Sequence, residues 1–183
     1  MIVLLAADWT VAEPVVAPAS RSAAGGPALS MQRPAQVDFV STGPIALPVF
    51  GVSPDQLRDT FAEARGGGSR IHRAMDIMAP MGTPVIAAVD GSIRKIYTSK
   101  AGGLTVYQFD RDERRLYYYA HLDAYADGLA EGAFVTQGTV IGYVGTTGNT
   151  NGTPHLHFSI EDLPPTKEWW KGEPVNPYPI LTR

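Results

Sequence analysis

The sequence predicts a mainly β protein, a compact antiparallel β-sandwich or barrel-like sheet with few short helices. The chain has 19 glycines and 15 prolines among 183 residues. Together they make up about 19% of the chain, against a usual combined share of roughly 12%. Short apolar segments alternate with glycine-containing turns, a pattern typical of short strands. The chain has the length of one ordinary domain, which can bury a core without disulfides.

Residues 1–45 are predicted to form an Ala/Pro-rich arm or spacer, and residues 46–183 one folded domain. Residues 12–20 (AEPVVAPAS) show neither helical nor strand periodicity and indicate an extended segment. Residues 1–7 are apolar but short, with no basic residue before them. They fit either an ordinary ragged terminus or the end of an export signal, since a complete signal begins with a charged region.

The folded part is predicted to begin with a short helix and to continue as strands. Ser53 and Pro54 favour a helix start, with Ser53 as the N-cap. Leu57 and Phe61 then fit either a helix or an alternating strand. The predicted strands cover residues 84–89, 93–98, 104–109, 116–121, 140–144 and 156–161. Residues 110–114 form a polar hairpin turn, and residues 125–132 fit one short helical turn.

Charge and composition exclude several function classes. The net charge is −3 and cysteine is absent. A nucleic-acid partner bound through a basic surface is therefore not expected, and neither is a thiol nucleophile or a cysteine zinc site. The sequence lacks an apolar run long enough for a transmembrane helix. It does not indicate an oligomeric state.

Two of the four histidines share one predicted strand. His155 and His157 are two residues apart, so their side chains project from the same face of a strand. Leu156 and Phe158 then point to the opposite face, where they can pack in the core. Such a pair begins a rigid metal site.

A second pair, His72 and Asp76, lies four residues apart in a segment that continues into Ile77-Met78-Ala79-Pro80 and does not resemble a helix interior. Histidine nitrogen and carboxylate oxygen suit zinc, and a catalytic zinc has three protein ligands plus water. His72, Asp76 and one of the two strand histidines complete that number.

Three ordered motifs together resemble the lysostaphin/LytM-type zinc metallopeptidases, which cut peptide bonds in bacterial cell-wall peptidoglycan. The motifs are His72-x-x-x-Asp76, Tyr119-Ala-His121-Leu122 and His155-Leu-His157-Phe158. The similarity extends over about residues 47–180 and includes residues 82–85, 87–91, 145–148 and 176–177. Two positions depart from the usual pattern: Ala74 stands where the family commonly has glycine, and Ser159 where it often has glutamate.

The resemblance implies the roles of the site residues. His72, Asp76 and His157 would be the zinc ligands, and His121 and His155 the unliganded catalytic pair. The implied activity is a periplasmic or secreted endopeptidase, with the peptide crosslinks of peptidoglycan as substrate and a D,D-bond as the bond cut. The alternative is a non-catalytic peptidoglycan-binding or hydrolase-activating module on the same scaffold. The full set of ligands and histidines favours an enzyme.

Other residues near these motifs allow two interpretations each. Tyr119 either lines the groove beside His121 or belongs to the core. Arg70 and Arg73 either meet peptide carboxylates or are simply solvated. Trp169 and Trp170 either stack on glycan or pack the C-terminal segment onto the sheet, and packing is favoured.

Overall fold

The structure, a computed structural model, describes residues 45–183. All but the last residue of the predicted N-terminal arm therefore lies outside the described residues. A 3-10 turn covers Pro54–Gln56, and the single α-helix of the described residues, α1, covers Tyr178–Leu181. The strands are β1 (Ala64–Arg65), β2 (Arg70–Ile71), β3 (Met75–Met78), β4 (Pro84–Ile86), β5 (Gly91–Ser99), β6 (Gly103–Asp110), β7 (Arg115–Tyr125), β8 (Phe134–Val135), β9 (Val140–Val144), β10 (His155–Asp162) and β11 (Glu173–Val175).

Nine strands form one antiparallel sheet. Six of them lie side by side in the order β11-β10-β7-β6-β5-β8, and β3, β4 and β9 pair beside this row. Strand β3 pairs with β10, and β9 pairs with both β4 and the end of β7. Strands β1 and β2 form a separate hairpin. The mainly β, antiparallel fold predicted from the glycine-separated strands is confirmed. No helix within residues 45–183 has the length and hydropathy needed to cross a membrane.

The core lies on one face of the central strands. Tyr119 and Phe158 are fully buried there, with ring centroids 5.3 Å apart. Leu156 is also fully buried, whereas His155 and His157, which alternate with Leu156 and Phe158 along the strand, remain partly exposed. The alternation predicted for β10 is therefore present: apolar side chains anchor the strand from below and fix the histidines above.

Two predicted local elements are wrong. Residues 57–61 form neither a helix nor a strand, because the chain becomes extended at Leu57 (ψ 146°) and the Asp59 carboxylate accepts the backbone N–H of Phe61. Residues 125–132 form two tight turns rather than a helical turn. Gly128 and Gly132 have φ of 75° and 83°, which a right-handed helix excludes.

Candidate metal and catalytic site

The strand register brings the predicted ligands together. Asp76 on β3 lies directly opposite His157 on β10. His72 precedes β3 by three residues and is buried. The three side chains meet although their residue numbers differ by up to 85, because the pairing of β3 with β10 closes the long separation in sequence.

Three ligand atoms form a nearly equilateral triangle. His72 Nε2 lies 3.0 Å from Asp76 Oδ1 and 3.0 Å from His157 Nδ1, and His157 Nδ1 lies 3.2 Å from Asp76 Oδ1. A tetrahedral zinc ion with bonds of about 2.0–2.1 Å separates its ligand atoms by about 3.3 Å. Two nitrogens, one oxygen and this spacing fit one face of such a tetrahedron. The residues could therefore hold a zinc ion.

Backbone carbonyls fix the tautomer of three histidines. Nδ1 of His72 lies 3.0 Å from the carbonyl oxygen of Thr60. Nδ1 of His121 and Nδ1 of His155 each lie 2.8 Å from a carbonyl oxygen, of Thr147 and Thr153 respectively. At His72 the Thr60 carbonyl is nearer to Nδ1 than Nη2 of Arg65, which lies 3.2 Å away and can only donate. Because a carbonyl oxygen only accepts, each Nδ1 is assigned the proton and donates it. In the neutral form of each ring, Nε2 then presents a lone pair to the site.

Asp76 is held on both sides. Its backbone N–H donates a hydrogen bond to the Thr60 hydroxyl at 3.0 Å. Its Oδ2 accepts a hydrogen bond from Nη2 of Arg65 at 2.6 Å. Burial alone would raise the pKa of Asp76, but hydrogen bonds and charge interactions with His157 and His72 outweigh it and hold the pKa well below its usual range. The carboxylate is therefore ionised at neutral pH, with Oδ1 on the ligand triangle.

A backbone irregularity places His121 at the site. Its φ of 64° lies in the left-handed region, which few non-glycine residues adopt. The register between β6 and β7 shifts at this residue, since Val106 pairs with Tyr119 but Leu104 pairs with Leu122. Regular alternation would have put His121 on the core side with Tyr119, and the bulge redirects it instead. This residue is strained where the site requires it.

The two catalytic candidates face each other beside the triangle. The ring centroids of His121 and His155 are 4.9 Å apart, and His155 Nε2 lies 3.7 Å from Asp76 Oδ1. Burial lowers the pKa of His121 to about 4, against the raising effect of its bond to Thr147. His121 is therefore neutral at pH 7. The five predicted residues line one open cleft of about 640 Å³.

The sequence allowed two interpretations each for Tyr119, for the two arginines and for the two tryptophans. Tyr119 is core: its hydroxyl donates to Gln108 Oε1 at 2.7 Å and it has no exposed surface, so the groove alternative is wrong. Arg70 lines the cleft, whereas Arg73 is exposed and does not line it. Trp169 packs on Tyr107 with ring centroids 4.6 Å apart, as the packing interpretation expects, whereas Trp170 is largely exposed and contacts Trp169.

Sequence reasoning missed Thr60, Arg65 and Tyr118. Thr60 contacts His72 through its carbonyl, which has no sequence signature. Arg65 lies on the β1–β2 hairpin, eleven residues from Asp76, and the hairpin register rather than a motif brings it close. Tyr118 lines the cleft with its ring 5.9 Å from that of His157. Its place, next to the Tyr119-Ala-His121 motif and on the opposite face from Tyr119, was the one available signal.

Comparisons with known proteins agree with this geometry. Residues 70–177 match the sequence profile of peptidase family M23. The chain is 35% identical over 150 residues to the L-Ala–D-Glu endopeptidase of Bacillus subtilis, covering 78% of this chain and 44% of that protein. It is 38% identical over 112 residues to the DD-carboxypeptidase/endopeptidase Mpg of Neisseria meningitidis, covering 61% of this chain and 23% of that protein. The chain thus spans less than half the length of these relatives.

Among solved structures, the catalytic domain of lysostaphin from Staphylococcus simulans superposes with a TM-score of 0.55. It is 29% identical to this chain, and the match covers 66% of this chain and 84% of that domain.

Proposed function

The chain belongs to peptidase family M23, and from this membership and the site we propose that it is a zinc-dependent endopeptidase acting on bacterial peptidoglycan. The observation that carries the proposal is the ligand triangle of His72, Asp76 and His157, with edges of 3.0–3.2 Å. It lies in an open cleft beside two further histidines with free Nε2 lone pairs. An open position next to proton acceptors is what hydrolysis requires.

We assign the zinc to His72 Nε2, Asp76 Oδ1 and His157 Nδ1. When bound, zinc lowers the pKa of a coordinated water and polarises the scissile carbonyl. The carbonyl of Thr60 keeps His72 in the tautomer that exposes Nε2, a contact to a metal ligand that typically matters for affinity. Arg65 leaves Asp76 Oδ1 free by engaging Oδ2 instead.

His155 is assigned as the general base. Its Nε2 is unprotonated in the neutral ring and faces the ligand set, so it can take a proton from the attacking water. The proton then leaves with the amine product when Nε2–H donates to the leaving nitrogen. The carbonyl of Thr153 stabilises the imidazolium formed between these two steps, because Nδ1–H continues to donate to it.

His121 is assigned to transition-state support. Its Nε2 accepts in the neutral ring, so it donates to a developing oxyanion only after taking up a proton. The Thr147 carbonyl favours that charged form, whereas burial opposes it. The attacking water releases one proton in this step, so either His155 or His121 takes it up, and not both.

The bond cut is proposed to be a D,D-bond in a stem-peptide crosslink. The name of the Neisseria relative supports this assignment, and the name of the Bacillus relative supports the L-Ala–D-Glu bond as the second candidate. Both bonds lie in the peptide part of peptidoglycan, so the protein would act in the cell envelope. The complete set of site groups disfavours a non-catalytic module.

Digestion of purified peptidoglycan tests the proposal. Zinc-loaded protein should convert crosslinked muropeptides to uncrosslinked ones, as measured by liquid chromatography with mass spectrometry. Shortened stems that keep their crosslinks would assign the L-Ala–D-Glu bond instead. Chelation should stop the reaction and zinc should restore it. Absence of any new amine end in a sample shown to contain one zinc per chain would overturn the peptidase proposal.

A further inference from the structure

A continuous row of aromatic rings leads from the candidate site across the sheet. Measured between ring centroids, His157 lies 5.9 Å from Tyr118, and Tyr118 lies 4.6 Å from Tyr107. The next ring, Trp169, lies 4.6 Å from Tyr107. Trp169 in turn contacts Tyr97 at 6.4 Å and Trp170 at 5.4 Å. We call Tyr97, Trp169 and Trp170 the aromatic platform, and Tyr107 and Tyr118 connect it to the site.

The strand register explains the row. Tyr107 on β6 and Tyr118 on β7 are direct cross-strand partners, so their side chains lie on one face. Tyr97 pairs with Thr105, two residues from Tyr107 on β6, which places it on the same face. This is the face opposite Tyr119 and the core. The platform and the metal-binding residues therefore share one side of the sheet.

The segment that carries the two tryptophans is fixed at both ends. Leu163 donates its N–H to the Arg114 carbonyl at 2.8 Å, and Glu173–Val175 pair with β10. Gly172 lies against Glu161, where a Cβ atom would come within 2.6 Å of the glutamate side chain. The absence of a side chain at Gly172 lets the segment lie flat on the sheet. The segment that carries the platform is thus attached to the sheet at both of its ends.

Two rings of the platform stay largely exposed although both contact Trp169. Trp170 is 61% exposed and Tyr97 is 47% exposed, and exposed aromatic groups of this kind mark interaction sites. Two nearby lysines are paired with glutamates, and the carboxylate of Glu161 lies near Tyr107 and Tyr118. Lys171 pairs with Glu168 at 2.8 Å, and Lys95 pairs with Glu131 at 2.9 Å. An uncharged ligand with flat apolar faces and polar edges suits this surface better than an anionic polymer.

We propose that the aromatic platform binds the glycan strand of peptidoglycan while its stem peptide occupies the cleft. The proposal rests on the function proposed above, since it takes the peptide substrate as given and adds the sugar chain covalently attached to it. The apolar faces of N-acetylated pyranose rings would stack on Trp170 and Tyr97, and their hydroxyl and amide groups would remain solvated. Continuity of the platform with the site through Tyr107 and Tyr118 places sugar and peptide on one face.

The test compares Trp170→Ala with Phe134→Ala. Phe134 is an equally exposed aromatic residue (55%) on β8, which pairs with β5 at Gly91 and Ser92, the opposite end of that strand from Tyr97. Two rates are measured for each variant: cleavage of intact peptidoglycan and cleavage of a sugar-free crosslinked stem peptide. Binding of the tetramer of N-acetylglucosamine is measured separately by NMR titration of the 183-residue chain.

Trp170→Ala should raise the half-saturating concentration of intact peptidoglycan and the dissociation constant of the tetramer by roughly tenfold, the loss expected for an exposed-aromatic hot spot. Cleavage of the sugar-free peptide should not change, and Phe134→Ala should match the wild type throughout. Equal loss on both substrates would make Trp170 a structural residue and overturn the proposal. Unchanged tetramer binding by Trp170→Ala would also overturn it. So would a wild-type dimer that Trp170→Ala dissociates, because Trp170 would then contact a second copy of the chain rather than glycan. Tetramer binding does not require hydrolysis, so an inactive wild type would refute the peptidase function and leave the platform testable.

Discussion

Replacing Thr60 by valine should weaken zinc binding about tenfold without removing any proposed ligand or catalytic group. Thr60 is 5% exposed. Its hydroxyl accepts the N–H of Asp76 at 3.0 Å, and its carbonyl accepts Nδ1–H of His72 at 3.0 Å. Valine preserves the shape and the carbonyl but removes the hydroxyl. The change therefore acts on the backbone of one ligand only.

The magnitude follows from the lost hydrogen bond. A buried N–H left without a partner costs about 1–3 kcal/mol, and loss of a group that orients a metal ligand costs about 10–100-fold in affinity. Thr60 contacts the backbone of Asp76 rather than its carboxylate, so we expect the lower end, about tenfold or ~1.4 kcal/mol. The free energy of unfolding of the metal-free protein should fall by about 1–3 kcal/mol as well.

The assay is a zinc competition titration against a chromogenic chelator, with urea denaturation of the metal-free protein alongside. Thr60→Ser is the matched control, because it keeps the hydroxyl and loses only a methyl group. Serine should bind zinc within about threefold of the wild type, a difference below ~0.7 kcal/mol. If the Thr60→Val variant binds zinc as tightly as the Thr60→Ser variant, the Thr60 hydroxyl does not position Asp76, which contradicts the prediction.

Two further predictions concern stability. Tyr119→Phe should lower the free energy of unfolding by about 2–4 kcal/mol. The lost hydroxyl donates to the buried Gln108 side chain and accepts the Ala88 N–H, so both groups lose a partner. A loss below ~1 kcal/mol in urea denaturation would contradict this prediction. Burial raises the pKa of Glu161, against the lowering effect of the hydrogen bond from Ser159. A raised folded-state pKa makes stability fall as pH rises from the usual glutamate value through the raised one. Glu161→Gln should therefore have a higher Tm than the wild type at pH 7 and the same Tm at pH 3, with each ~1 kcal/mol appearing as about 2–4 °C. A variant that melts lower at pH 7 would show that the carboxylate is favourable there.

Strand pairing and motif spacing made much of the fold predictable. The alternation in residues 104–109 and 156–161 correctly predicted β6 and β10, because a half-buried strand imposes a period of two on its own sequence. The same alternation placed His155 and His157 on one face. Residues 57–61 were not predictable, since a side-chain bond from Asp59 to the backbone decides the local conformation there.

The remainder of the site depends on long-range geometry. Alternation predicts that His121 and Tyr119 share a face, and only the positive φ of His121 separates them. The carbonyls of Thr147 and Thr153 that fix the histidine tautomers are backbone groups, which any residue type carries. The α1 helix at Tyr178–Leu181 is four residues long, too short to leave a periodic signal.

Zinc content and peptidoglycan cleavage, measured in parallel on His155→Ala and His157→Ala, test the central claim most directly. These residues are two positions apart on one strand face, so both variants perturb the same local structure. His157→Ala should lose both zinc and cleavage. His155→Ala should retain about one zinc per chain and lose turnover by about 10²–10⁴-fold. An empty site in His155→Ala with zinc retained in His157→Ala would reverse the assigned roles, and undiminished cleavage in both variants would contradict the account.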